Sequence, residues 1–84
     1  MGAMRIEEFI RERERQNAAV LDFSGAVTKR FFSLDTQCYR DGALPVKTKE
    51  LIGLTASLVL RCDDCVSYHI EQCRKEGVTT DQFF

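Results

Sequence analysis

The sequence has few of the features that mark loop-rich, extracellular or membrane proteins. It contains one proline and five glycines in 84 residues, and no long stretch alternates in the way a strand does. Small secreted domains instead combine many turns with disulfides, so the four cysteines here favour thiol or metal chemistry in a reducing compartment, the cytoplasm. The most apolar stretch, Leu51 to Leu60, is about half of what a bilayer-spanning helix needs, so no membrane partner is expected.

The chain also lacks an excess of positive charge. Its formal net charge is −1, with 12 basic and 13 acidic side chains. A nucleic-acid-binding domain usually presents a basic face, so no nucleic-acid partner is expected.

Hydrophobic periodicity predicts an all-α fold, a bundle of four to five helices in a single domain spanning 1–84. An N-terminal helix is expected within 1–16, with a break at Asn17. The second helix carries apolar residues at intervals of three and four, typical of a buried stripe. Its members are Val20, Phe23, Val27, Phe31, Leu34 and Cys38. Cys38 is then interpreted as a small buried side chain.

The region 42–84 contains the residues that could carry chemistry. A third helix is predicted from Pro45 to Leu60, and its apolar residues point in nearly every direction, which indicates a helix central to the core. Asp63 is the expected N-cap of a fourth helix, which stops at Gly77.

A fifth helix is predicted to begin with a capping box formed by Thr79 and Gln82. It would leave Phe83 and Phe84 exposed at the end of the sequence. We therefore expect a longer natural chain or a partner subunit, and the small core favours an oligomer.

The pattern Cys62-x-x-Cys65-x-x-x-His69 is the strongest chemical signal in the sequence. Residues four apart lie on one face of a helix, so His69 can act as a base for the Cys65 thiol. Cys62 lies just before the helix and can bend back towards Cys65. A helix N-terminus favours thiolates, as does Arg61, whereas the neighbouring Asp63 and Asp64 oppose them.

Glu50 is the expected partner of this histidine. If the third and fourth helices fold back at about residues 61–62, they run antiparallel, and Glu50 comes to lie near Cys73, one turn from His69. The carboxylate could then orient the imidazole that serves the thiol, which is the arrangement of an activated nucleophile.

Zinc binding is an alternative use of the same side chains. Cys62, Cys65, His69 and Cys73 are a complete ligand set by type, but Cys65 and Cys73 are separated by ~12 Å of helical rise, so all four cannot bind one tetrahedral ion on a continuous helix. Three of these ligands could bind one if Cys62 bends inward. The redox use of the same side chains is favoured, so we expect no metal and no bound cofactor, and Cys73 is interpreted as a core residue.

The stretch from Gly42 to Phe84 resembles the carboxymuconolactone decarboxylase family, and most closely its alkylhydroperoxidase D branch. The similarity is carried by Lys47 to Ile52, by the Cys62-to-His69 motif and by Glu76 to Thr79. It implies an all-α, alkylhydroperoxidase D-like bundle completed by oligomerisation, as a homotrimer or homohexamer. Asp64 stands where some relatives have a histidine.

The resemblance also implies roles for four residues. Cys65 would attack a hydroperoxide or a disulfide, Cys62 would resolve the intermediate, and His69 with Glu50 would form the proton relay. Members of the decarboxylase branch do not depend on this dithiol, so both cysteines favour the redox branch.

The predicted function is therefore a thiol-dependent peroxidase or disulfide oxidoreductase. Its partners would be a hydroperoxide or protein disulfide as substrate and an external thiol as reductant. A non-enzymatic redox sensor or scaffold of the same family is the main alternative, and a zinc-binding structural domain is a further one.

Overall fold

The computed structural model describes residues 3–84, with side chains described from residue 5, so the first two residues of the predicted 1–16 segment lie outside it. Within that range the fold is all-α, as predicted, and no strand occurs. The helices are α1 (Ala3–Phe23), α2 (Ala26–Cys38), α3 (Val46–Val59), α4 (Asp63–Lys75) and α5 (Thr80–Phe83). None of these helices is both long and apolar enough to cross a membrane. The chain divides into two compact units, Met1–Cys38 and Tyr39–Phe84.

The first unit contains α1 and α2, and its helix boundary differs from the prediction. The predicted break at Asn17 does not occur. Helix α1 continues to Phe23, and the chain leaves the helix at Ser24 and Gly25. One asparagine costs a helix only about 0.7 kcal/mol, whereas glycine costs about 1 kcal/mol. Side-chain pairs of Glu12 with Arg15 and Gln16 also stabilise the middle of α1, just before Asn17.

The apolar stripe expected to be buried in the second helix is divided between α1 and α2, and it is largely exposed. No described residue of α2 is buried, and Phe31 retains 68% of its accessible surface. Cys38 is exposed too, so its interpretation as a buried side chain is wrong. A stripe of this kind is buried only where another element covers it, and periodicity does not report whether the same chain provides that element.

The second unit is built on a hairpin of α3 and α4, which pack against each other. Pro45 is the N-cap of α3, and the Asp41 carboxylate accepts a hydrogen bond from the Val46 N–H at 2.8 Å. The buried residues of α3 are Glu50, Leu54 and Ser57. Ile52 and Val59 are more than half exposed, so the prediction of a helix buried on all sides is wrong.

A tight turn joins these two helices and places the first motif cysteine. The Cys62 N–H donates to the Ser57 carbonyl at 3.1 Å, and the Arg61 N–H donates to the Leu58 carbonyl at 3.2 Å. This pair of bonds defines a Schellman motif, whose left-handed position usually holds glycine. Here Arg61 occupies it, with φ of 55°. The turn ends α3 and delivers Cys62 directly to the start of α4.

The end of α4 follows the prediction. Gly77 has φ of +80°, its N–H donates to the Arg74 carbonyl, and the Val78 N–H donates to the Cys73 carbonyl. The predicted capping box is confirmed, since Thr79 and Gln82 exchange side-chain and backbone hydrogen bonds of 3.0 and 3.2 Å. The apolar core of this unit is small and comprises Leu54, Cys73 and Val78.

Candidate functional site

The two motif cysteines lie at the N-terminus of α4, where they are joined by a disulfide with their Cα atoms 5.2 Å apart. Cys62 is the N-cap residue, and its Sγ accepts a hydrogen bond from the Cys65 N–H at 3.3 Å. The predicted cap, Asp63, is instead the first helical residue. The reason is the preceding turn, which leaves Cys62 in the extended conformation that a cap requires.

Glu50 and His69 form a direct contact between the two helices. The Glu50 Oε2 and His69 Nδ1 atoms are 2.9 Å apart. Both side chains are shielded, with 4% of the Glu50 side chain and 12% of the His69 side chain exposed. A carboxylate can only accept a hydrogen bond, so Nδ1 carries the hydrogen, and a neutral ring bound in this way has its lone pair on Nε2. The pair therefore presents an oriented base.

Gly53 provides the surface of α3 against which the His69 ring lies. A Cβ atom at this position would be 2.6 Å from His69 Cε1 and 2.9 Å from both ring nitrogens. Real Cβ contacts are essentially never shorter than 3.0 Å, so a side chain here would displace the ring. Glycine is thus required by the close approach of the imidazole rather than by the backbone angles.

Two tyrosines lie beside the same imidazole. The Tyr68 ring meets it edge-on with centroids 5.2 Å apart, and the Tyr39 ring is tilted at 5.8 Å. Aromatic rings at these separations attract each other and restrict the ring's movement. Neither tyrosine was identified from the sequence, although Tyr68 directly precedes His69.

Ser57 connects the imidazole region to the motif cysteines. It is buried, its hydroxyl donates to the Gly53 carbonyl at 2.7 Å, and its own carbonyl accepts the Cys62 N–H. One face of α3 therefore carries Glu50, Gly53 and Ser57 in succession. The first two contact His69 and the third fixes the backbone of Cys62.

Cys73 lies deeper on α4 and is completely buried. Burial raises the pKa of the Cys73 thiol, and the nearby negative charge of Glu50 raises that pKa further. A thiol that resists deprotonation in this way suits a core residue better than a nucleophile. This agrees with its interpretation from the sequence.

The zinc alternative gains no support from the arrangement of these side chains. Among residues 5–84, no three His, Cys, Asp or Glu side chains are grouped so that they could hold a metal ion. The two motif sulfurs are bonded to each other, and Nδ1 of His69 faces Glu50.

The four residues singled out from the sequence thus occur as two pairs, one at the N-terminus of α4 and one between α3 and α4. Cys62 and Cys65 form the disulfide, while His69, one turn beyond Cys65, meets Glu50. The hairpin argument correctly anticipated the latter contact. Gly53 and Ser57 were missed, and the only signal for Gly53 was an isolated glycine inside a helical pattern.

Similarity to known proteins extends over most of the chain. The sequence model of the carboxymuconolactone decarboxylase family matches residues 25–84. Two curated relatives are uncharacterised. "Uncharacterized protein 4 in cox locus" of Paracoccus denitrificans is 33% identical over 57 residues, covering 68% of this chain and 51% of the relative. An uncharacterised protein of Cupriavidus necator is 32% identical over 71 residues, covering 84% and 63%. The chain therefore spans between half and two thirds of their lengths.

Crystal structures of a Thermotoga maritima protein have the same fold. One has a TM-score of 0.87 at 50% identity, covering 93% of this chain and 68% of that one. The other has a TM-score of 0.83 at 49% identity, covering 92% and 65%, and is described as a carboxymuconolactone decarboxylase family protein with a possible involvement in the antioxidative response. With a match over residues 25–84 and an all-α fold shared at this level of identity, the chain belongs to the carboxymuconolactone decarboxylase family.

Proposed function

We propose that the protein is a thiol-dependent peroxidase or disulfide oxidoreductase of the alkylhydroperoxidase D type. The observation that carries this proposal is the shielded Glu50–His69 pair, one helical turn from a disulfide-bonded Cys-x-x-Cys motif. Such an arrangement combines an orienting carboxylate, a base and a nucleophile. The antioxidative description of the Thermotoga maritima protein supports the same chemistry.

In the proposed reaction, the reduced protein converts a hydroperoxide into an alcohol and water. His69 Nε2 takes the proton of the Cys65 thiol, and the thiolate attacks the terminal peroxide oxygen. The O–O bond breaks, the alkoxide takes a proton from the imidazolium and leaves as alcohol, and Cys65 becomes a sulfenic acid. Cys62 then attacks the Cys65 sulfur, and hydroxide leaves with the Cys62 proton as water. Two electrons pass from the dithiol to the peroxide, and the product is the Cys62–Cys65 disulfide.

A disulfide substrate would follow the same course with a thiolate as the leaving group. An external thiol then returns two electrons to the Cys62–Cys65 disulfide. The N-cap position favours Cys62 as the sulfur that leaves in this step, because the Cys65 N–H stabilises the thiolate that forms there. No cofactor is needed, since both electrons reside on the two cysteines.

Oligomer formation is part of the proposal. Large apolar side chains remain exposed in both units, with Val27 75% exposed in one and Leu60 77% exposed in the other. Such surfaces usually mark contacts with other chains, and a homotrimer or homohexamer of this chain would bury them. Sedimentation analysis of the reduced and oxidised protein would test this, and a monomer at micromolar concentration would contradict it. A cytoplasmic location, where thiol reductants are abundant, belongs to the same proposal.

Turnover is the decisive test. The protein is incubated with tert-butyl hydroperoxide and excess dithiothreitol, and peroxide loss is followed over many equivalents. We expect Cys65→Ser to abolish turnover and His69→Ala to reduce it about 10²- to 10⁴-fold, the usual range for a general base. Cys38→Ser, which removes an exposed cysteine outside the motif, is the matched control and should retain the wild-type rate.

Two results would contradict the proposal. Equal rates in wild type, Cys65→Ser and His69→Ala would show that the motif does no chemistry. Consumption of a single equivalent of peroxide, with no recycling by dithiothreitol or by a second dithiol, would indicate a redox sensor instead.

A further inference from the structure

Gly53 lies on the face of α3 that meets the ring of the proposed base, and nothing in the reaction described above uses it. It lies three positions after Glu50, so the two lie on the same face of α3. Glu50 contacts the edge of the His69 ring at Nδ1, and the bare backbone of Gly53 faces Cε1 and both nitrogens. Together they hold the imidazole from two directions.

We infer that Gly53 is a positioning residue for His69, because its missing side chain allows the ring to approach α3 closely enough to keep Nδ1 on Glu50. This inference rests on the proposed role of His69 as the base. With any Cβ at residue 53, the ring would have to withdraw from 2.6 Å to beyond 3.0 Å, and to 3.4 Å or more for an ordinary contact. Tyr68 and Tyr39 flank the imidazole, which limits the directions in which it can withdraw.

Ser57 provides independent support for this role. Its hydroxyl donates a hydrogen bond to the Gly53 carbonyl at 2.7 Å. A buried polar side chain thus fixes the peptide group on which the imidazole lies. A shift of the backbone at Gly53 would disturb this bond to Ser57, whose own carbonyl accepts the Cys62 N–H in the turn before α4.

The test is Gly53→Ala, with Gly42→Ala as the matched control. The control adds the same methyl group in the same unit, where the new Cβ lies at an ordinary 3.6 Å from Lys49 Nζ. His69 is the single histidine of the chain, so its ring nitrogens give unambiguous ¹⁵N signals. In wild type and Gly42→Ala we expect the pattern of an imidazole protonated at Nδ1. In Gly53→Ala we expect a mixture of tautomers, together with a ~10²-fold loss of kcat/KM, as a displacement of ~1 Å can cause.

The possible outcomes separate this inference from the proposed function. A wild-type ¹⁵N pattern in Gly53→Ala overturns the inference, whatever the enzymatic rates are. If the wild type itself shows no peroxide or disulfide turnover, the proposed function fails, and the base role on which the inference rests fails with it.

Folding of the variant is controlled by a double substitution. Should Gly53→Ala lose its helical circular dichroism, the variant Gly53→Ala with His69→Ala removes the ring that the methyl group meets. Recovery of the helical signal supports the inference. Failure to recover shows that Gly53 is needed for another reason and overturns it.

Discussion

Replacing Glu50 with glutamine removes one negative charge from the proposed site and changes almost nothing in size. Glutamine can still accept a hydrogen bond from His69 Nδ1, so the neutral ring keeps a partner. The substitution instead destabilises the imidazolium that forms when His69 takes a proton from Cys65, because glutamine has no negative charge to pair with it. Glu50 is 3% exposed, so solvent screens this interaction only weakly.

The size of the effect follows from the single contact of 2.9 Å between Glu50 and His69. A hydrogen bond to a charged group contributes about 1.5–3 kcal/mol, and the neutral bond that glutamine keeps contributes about 0.5–1.5 kcal/mol, so the loss is about 1–1.5 kcal/mol. Since ~1.4 kcal/mol corresponds to a factor of ten in rate, Glu50→Gln should lower kcat/KM for peroxide by about 5- to 10-fold.

Glu71→Gln is the matched control for this experiment. Glu71 is also buried, but its carboxylate binds Arg74 on the same helix, and those hydrogen bonds lower the pKa of Glu71. The same substitution there should leave kcat/KM within about twofold, with any cost confined to the free energy of unfolding. Peroxide consumption would be measured for both variants under conditions where each is fully folded. A wild-type rate for Glu50→Gln, or equal losses in the two variants, would refute the reasoning.

Substitutions at four further positions test the structural elements around the site. Arg61→Gly should raise the free energy of unfolding by up to about 1 kcal/mol in urea titrations, because it relieves the strain of a side chain on a left-handed residue with φ of 55°. Gly77→Ala should lower the free energy of unfolding by a similar amount, because it introduces such strain. An unchanged free energy of unfolding for Arg61→Gly would show that the Arg61 side chain compensates for the strain. With dithiothreitol present, Cys62→Ser should be about 1 kcal/mol more stable than Cys62→Ala, since serine can still cap α4, and equal stabilities would exclude a capping role. The raised pKa of Cys73 means that the folded state keeps a proton which the unfolded thiol loses at ~8.5. The stabilisation of the folded state by this bound proton is complete below pH ~8.5 and is lost as the pH rises through the folded pKa. The wild type should therefore lose stability above pH ~8.5 more steeply than Cys73→Ala. Parallel pH profiles of the two proteins would contradict this prediction.

The sequence predicted those parts of the fold that depend on local signals. The stop at Gly77 and the capping box of Thr79 and Gln82 each involve residues within a few positions of one another. The contact between Glu50 and His69 was also predictable, because a turn near residues 61–62 determines which positions of two antiparallel helices face each other.

Other features depend on partners that a local pattern does not identify. The choice of Cys62 over Asp63 as the cap follows from the turn at Arg61, where no glycine marked the left-handed residue. The burial of Glu50 and Ser57 instead of Ile52 and Val59 depends on which face of α3 meets α4. The role of Gly53 becomes visible only when a side chain from α4 is placed against it.

The position of Cys62 makes one sulfur both a redox centre and a helix cap. A thiolate accepts the Cys65 N–H more strongly than a disulfide sulfur does, so the first turn of α4 stabilises the reduced form over the oxidised one. Stabilising the reduced form makes the disulfide a stronger oxidant, and for a two-electron couple ~1.4 kcal/mol corresponds to ~30 mV. A cap of about 1 kcal/mol would therefore raise the reduction potential by roughly 20 mV. Measured against glutathione, this potential would report how well the first turn of α4 is formed.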